Sequence, residues 1–291
     1  MKKNLGIVIS ILTLCAAQIL TVSVRAAVQN PHGTGQMTVN VDSVEARFKE
    51  AVAPLYALCG GVTDDEKKIC RDKVDSLMTE ARTDTTLYKV VTQLAEDYLY
   101  DQASPASSVD LYMLFLENMV NHPYPNAMSA IRPRLLLESL LKNRPGSKAA
   151  DFSFTTRDGR ESSLMAELLA IENINGKIML IFYDPDCDDC REFLTRIEEN
   201  GKLNSDKHDS IFKIVAIYSG DDREAWEEQA SLLPATWTVG YNDGSVFDDE
   251  VYFMRATPSV YLIDRDGTVL RRVEGKAAVA TDITELFRNF L

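Results

Sequence analysis

Positive charge is scarce in this chain: 31 Lys and Arg face 44 Asp and Glu over 291 residues, a net charge of -13. No basic stripe and no interleaving of basic with aromatic residues is present, so binding to a phosphate backbone has no electrostatic footprint. Anionic lipid headgroups are poor partners for the same reason. Histidine is rarer still, with three in all. His32 lies in a Gly-rich stretch, His122 beside a proline and His208 alone in a polar segment, and no cysteine pair stands at metal spacing from them, so no zinc site is expected. Long low-complexity tracts are also missing, and 45% hydrophobic residues is ordinary for globular protein. A chain of this length accommodates two compact domains.

The first 26 residues hold Lys2, Lys3 and Arg25 and no acid, and an apolar run extends from residue 5 to 24 before the small residues Ala26 and Ala27. That is the pattern of a secretory signal peptide, 1–26. Two other readings fit: an uncleaved anchor, since the run is long enough to span a bilayer, and a lipidated Cys15, although Leu14 is large for that chemistry. All three place the remainder outside the cytoplasm, and the membrane enters only through such an N-terminal anchor.

Residues 27–41 read as a flexible segment and 42–145 as a helical domain. Val44, Phe48, Val52 and Leu55 repeat at helical spacing behind an Asp42–Glu45 capping box. Gly60-Gly61 breaks the chain, and Thr63 with Glu66 starts a second helix carrying Ile69, Val74, Leu77 and Met78. Helical segments at 87–99, 109–120 and 126–142 follow, and Pro133 should kink or split the last. Apart from Cys15, four cysteines remain, falling as Cys59 with Cys70 and Cys187 with Cys190. Export permits disulfides. A Cys59–Cys70 bridge across the helical hairpin would contribute roughly 2–4 kcal/mol by restraining the unfolded chain; two cysteines merely buried on an apolar face is the alternative.

After residues 143–147 (NRPGS) the pattern changes to alternating strands and helices, opening a second domain, 146–291. Strands are expected at 152–155, 178–183, 211–218, 236–241, 259–264 and 268–273. The helices expected are 163–170, 187–200, 223–231 and 281–290. The apolar run 178–182 (IMLIF) suits a strand buried on both faces, so the fold class is α/β, a mixed sheet between helices. Cys187 and Cys190 stand between that strand and a helix start, where free N–H groups and the macrodipole favour an anion. Cys187 is then the nucleophile. One turn on, Cys190 can attack the resulting mixed disulfide and resolve it. An inert structural disulfide and half of a metal site are the competing readings.

Three stretches, 145–152 (PGSKAADF) with Asp158-Gly159, 180–190 (LIFYDPDCDDC) and 256–267 (ATPSVYLIDRDG), together resemble the thioredoxin superfamily, in particular its exported bacterial thiol-disulfide oxidoreductases. The resemblance covers about residues 146–291. It implies a thioredoxin-like fold and a cis bond between Thr257 and Pro258, with Thr257 docking an extended substrate segment. It implies catalysis by the cysteine pair without a cofactor. The partners implied are protein thiols and disulfides together with an upstream redox partner, in the periplasm or envelope. The helical domain resembles an uncharacterised module found ahead of such domains. The sequence departs from thioredoxin in carrying Asp188-Asp189 between the cysteines, Asp186 before them, and Ile181 where thioredoxin buries a carboxylate. Any proton acceptor for Cys190 must therefore come from elsewhere, with Asp184, Asp186 and Glu192 as candidates. Acids around the reactive thiol oppose its anion, which suggests a reductase or isomerase. A peroxiredoxin is the nearest enzymatic rival, but neither cysteine has the Pro-x-x-x-Thr-x-x-Cys frame, and fast peroxide reduction would reverse that ranking. A non-catalytic envelope binding module built on the same scaffold is the alternative function. Trp226, Trp237 and Tyr241 read as core or rim packing and receive no role.

Overall fold

The computed structural model describes residues 28–29, 38–59, 64–200, 203, 212–249 and 251–283. The leader 1–26 with Cys15, His32, the Gly60-Gly61 break, Thr63, His208 and the helix expected after residue 283 lie outside the described residues. Two compact units divide at Leu137/Glu138.

In the first unit, Val28–Gln29 pairs with Thr38–Val39, and helices follow. These are α1 (Val41–Val52), α2 (Leu55–Cys59), α3 (Asp64–Ala81), α4 (Thr85–Ala95), α5 (Val109–Asn121) and α6 (Ile131–Leu140), the last running across the division. The cap of α1 is Asn40, whose side chain accepts from the Ser43 N–H at 3.0 Å, rather than the expected Asp42. Pro54 follows α1, so Cys59 ends a separate short helix instead of the first one. Between α4 and α5 the expected 87–99 helix widens into a π-helical turn, Glu96–Tyr100. Pro133 does not split a helix: Ala127–Ala130 is a 3-10 turn and Pro133 falls in the first turn of α6, where an N–H has no intrahelical partner to lose. Val44, Phe48, Val74, Met78, Val91 and Phe115 form part of this unit's buried core. A disulfide joins Cys59 to Cys70, their Cα atoms 6.2 Å apart.

The second unit begins inside α6, upstream of the expected boundary at 145, because the segment before it is tied to this unit. Asn143 donates from its side-chain amide to the Val251 carbonyl at 2.9 Å and accepts from the Ala150 N–H at 2.8 Å. Its elements are β1 (Ser153–Thr156), β2 (Glu161–Ser163), α7 (Leu164–Leu169), β3 (Lys177–Tyr183), α8 (Asp188–Glu198), β4 (Phe212–Ser219), α9 (Arg223–Leu232), β5 (Thr238–Asn242), α10 (Ser245–Asp248), β6 (Ser259–Asp264), β7 (Val269–Glu274) and α11 (Lys276–Ala280). The sheet order is β2-β1-β5-β4-β3-β6-β7. Strand β3 is parallel to β4 and antiparallel to β6, so the sheet is mixed.

Alternation along β3 sends Met179, Ile181 and Tyr183 to one face, against Phe193 and Ile197 of α8 and Trp226 of α9. Ile178, Leu180 and Phe182 go to the other, against Leu164 and Leu168 of α7 and Tyr252. Trp226 and Trp237 are both core residues. Gly159 and Gly267 turn the hairpins β1–β2 and β6–β7 at φ +79 and +85, a region L side chains rarely adopt. The helix expected at 163–170 is Leu164–Leu169, because Ser163 ends β2 and caps α7 through the Ala166 N–H.

A charged group of α7 lies deep in this unit. Glu167 of α7 accepts from Ser162 Oγ at 2.5 Å and Thr238 Oγ1 at 3.1 Å, and pairs with Lys213 of β4 at 2.6 Å and Arg160 at 3.3 Å. It ties β2, α7, β4 and β5 together.

Candidate active site

Strand β3 ends at Tyr183, and the next four residues fold back to start α8. The Cys187 N–H donates to the Asp184 carbonyl at 3.2 Å, and the Asp184 carboxylate accepts from the Asp186 N–H at 2.8 Å. Cys187 itself is the N-cap of α8, in extended backbone, and its Sγ accepts from the Cys190 N–H at 3.2 Å. The sulfur thus takes the place an Asp or Ser side chain usually fills, satisfying one of the orphan donors of the first turn. Both cysteines are free thiols; Cys187 is partly exposed and Cys190 is fully buried. Burial pushes the Cys190 thiol up to about 12, the hydrogen bond and charge of Cys187 add to the rise, and the Asp184 backbone and Thr257 work against it.

The Thr257-Pro258 bond is cis. The Thr257 carbonyl lies 3.7 Å from Cys187 Sγ, within reach of the thiol proton. Two segments separated by 70 residues in sequence therefore meet at one sulfur.

The carboxylates singled out for proton transfer are not brought to Cys190. The Asp184 carboxylate is turned to the backbone of its own loop, and Asp186 and Glu192 are exposed; what Asp184 offers Cys190 is its backbone, not its carboxylate. Ile181 is fully buried in the strand below. Arg191, to which the sequence assigns no role, pairs with Asp188 and donates to the Pro185 carbonyl at 3.1 Å. Their separation of three residues on a helix was the available signal. One of the acids beside the cysteines is thereby paired, and the loop 184–187 is held by the same side chain. Among the described residues, no group of three or more His, Cys, Asp or Glu is placed to hold a metal ion, and no helix is long and apolar enough to cross a membrane.

A family model described as a thioredoxin-like domain matches residues 166–290, a span that contains both cysteines and the cis proline. The C-terminal unit is a thioredoxin-like domain. A thioredoxin-like protein from Bacteroides caccae is 23% identical, and the match covers 82% of each chain with a TM-score of 0.69. That coverage exceeds what the thioredoxin-like domain alone could supply, so the likeness of fold extends into the helical unit. A conserved protein of unknown function from Bacteroides fragilis is 30% identical over 51% of this chain and 99% of its own, with a TM-score of 0.42. The thioredoxin domain of a thiol-disulfide oxidoreductase from Bacteroides vulgatus is 19% identical over 50% of this chain and 97% of its own, with a TM-score of 0.39. No curated protein sequence matches the chain.

Proposed function

We propose that the chain is a thiol-disulfide oxidoreductase of the bacterial cell envelope, acting on protein disulfides through Cys187 and Cys190. The observation that carries this reading is the Cys187 sulfur: partly exposed, capping α8 and facing the Thr257 carbonyl across the cis proline. The Cys187 thiolate attacks one sulfur of a substrate disulfide, forming a mixed disulfide and releasing the other sulfur as a thiolate that takes up a proton. Cys190, having lost its own proton, then attacks Cys187, and the second substrate sulfur leaves. The substrate gains two electrons and two protons, the protein is left with a Cys187–Cys190 disulfide, and an upstream dithiol partner returns it to the reduced state. The two cysteines suffice for this chemistry, without a cofactor. Thr257 and Pro258 dock the substrate segment.

Location outside the cytoplasm is supported by the N-terminal pattern of residues 1–26, by the Cys59–Cys70 disulfide and by the bacterial source of the similar Bacteroides caccae protein. The direction of exchange follows from charge. Asp186, Asp188 and Asp189 crowd the helix start, and burial opposes the Cys190 anion. These acids and that burial outweigh what the start of α8 offers a thiolate, which sets the couple on the reductase or isomerase side. Two readouts test the proposal together. A Cys190→Ser variant is expected to accumulate mixed disulfides with envelope proteins, and the wild-type pair, equilibrated with glutathione, is expected to be the more reducing couple. Failure to trap any partner would remove the activity, whereas an oxidising couple would reverse only the direction.

A further inference from the structure

The loop 253–258, which carries Thr257 and Pro258, is fastened to the sheet by a buried charge cluster. Glu274, the last residue of β7, has a side chain only 6% exposed and holds two arginines: Arg255 Nε at 3.1 Å and Arg272 at 2.5 Å, themselves 14% and 12% exposed. Arg255 belongs to the loop. Arg272 belongs to β7 and donates onward to the Phe253 carbonyl at 2.5 Å. Ser259 Oγ, buried beside Glu274 at 3.4 Å, donates to the Ala256 carbonyl at 2.6 Å, and the Gly275 N–H donates to the Pro258 carbonyl at 2.8 Å. Carbonyls 253 and 258 are thus held from β7 and its flank and carbonyl 256 from the start of β6, leaving the Thr257 carbonyl to face Cys187.

We infer that Glu274 is a positioning residue for disulfide exchange, acting through Arg255, Arg272 and Ser259 to hold Thr257 at the height where an extended substrate backbone can pair with it while its bonded sulfur meets Cys187. A carboxylate withdrawn from water between two guanidinium groups is held in one geometry by directional bonds, and the alternative of leaving any of the three unpaired in the interior is strongly unfavourable. Such a clamp costs desolvation that an apolar cluster of the same volume would avoid, so what it adds is placement of the loop. Neither Glu274 nor Arg255 touches the reacting sulfurs.

The inference rests on the exchange activity proposed above, and the experiment separates the two. Wild-type protein is assayed with oxidised glutathione, which needs only Cys187, and with a disulfide-bonded peptide long enough to lie along Thr257. Inactivity of the wild type with both substrates would sink the activity itself. Arg255→Met frees the loop from Glu274 while leaving the Glu274–Arg272 pair in place. Its KM for the peptide is expected to rise about tenfold while its rate with glutathione changes by less than about twofold, since a misplaced docking segment penalises only the substrate that uses it. Arg255→Lys, which keeps the charge, is expected to restore part of the loss. Glu274→Gln should show the same split where it folds; where it does not, Arg255→Met and Arg255→Lys decide. Unchanged peptide KM in Arg255→Met, or a parallel fall with both substrates, would overturn the positioning role.

Discussion

Replacing Cys187 with serine is expected to slow disulfide exchange by roughly a thousandfold or more, the scale on which enzymes respond to loss of a nucleophile. A hydroxyl in the same place keeps the hydrogen bond that caps α8 but cannot form the mixed disulfide, so the fold should survive while the reaction stops. Cys190→Ser behaves differently, because the first attack still occurs and the intermediate then persists. The contrast has a geometric basis. Cys187 is the partly exposed thiol and Cys190 the fully buried one, its proton held by a site that raises the thiol to about 12. Iodoacetamide applied to the folded dithiol protein near neutral pH should accordingly modify Cys187 and spare Cys190. If it modifies neither while both label after denaturation, the sulfur is out of reach of any substrate and the catalytic reading fails.

The largest stability effect is expected at Glu167, far from that chemistry. Its side chain is 4% exposed, and Glu167→Gln leaves Lys213, Arg160 and two hydroxyls facing a neutral amide. Lys213 and Arg160 are 28% and 56% exposed, so water takes up part of the loss, and the cost is expected at roughly 1–3 kcal/mol. For a domain of this size that corresponds to a melting temperature lower by roughly 5 °C. The pH dependence has a definite sign. Burial pushes the Glu167 carboxyl up, but the hydrogen bond and charge of Lys213, with the bonds from Ser162 and Arg160, outweigh it and leave the group below its ordinary value. A carboxyl that is more acidic folded than unfolded stabilises the fold above the unfolded value, near 4.3 for glutamate, and loses that contribution as pH falls through the folded value. Thermal melts of both proteins from pH 7 to pH 3 should therefore converge at the acid end. Parallel curves across the whole range would mean the carboxylate is not the group that matters.

What could be read from the chain beforehand follows from where its signals are local. The run 178–182 is apolar at every position because β3 is covered on both faces, and the two cysteines follow it within ten residues, so strand, helix start and cysteine pair all lie in one window. Strand β2 was missed because Glu161–Ser163 is short, polar and at the sheet edge, where neither alternation nor hydrophobicity marks it. Asn40 displaced Asp42 as the cap of α1 because two capping residues two positions apart compete, and only backbone geometry decides between them. The carboxylates proposed for proton transfer were chosen by nearness in sequence, which says nothing of which way a side chain turns. The Glu274 cluster was invisible for the opposite reason: Arg255 in its loop and Ser259, Arg272 and Glu274 on their strands are ordinary alone and acquire meaning only when β6 and β7 pair.

The sulfur at the start of α8 serves two masters. In the dithiol form it receives the amide proton of residue 190, and once it is bonded to another sulfur it has less electron density to offer that amide. In the exchange proposed above, the first hydrogen bond of the helix is expected to weaken when that sulfur is oxidised and to return when it is reduced. Amide exchange at Cys190 should then report the oxidation state of its neighbour from within the backbone.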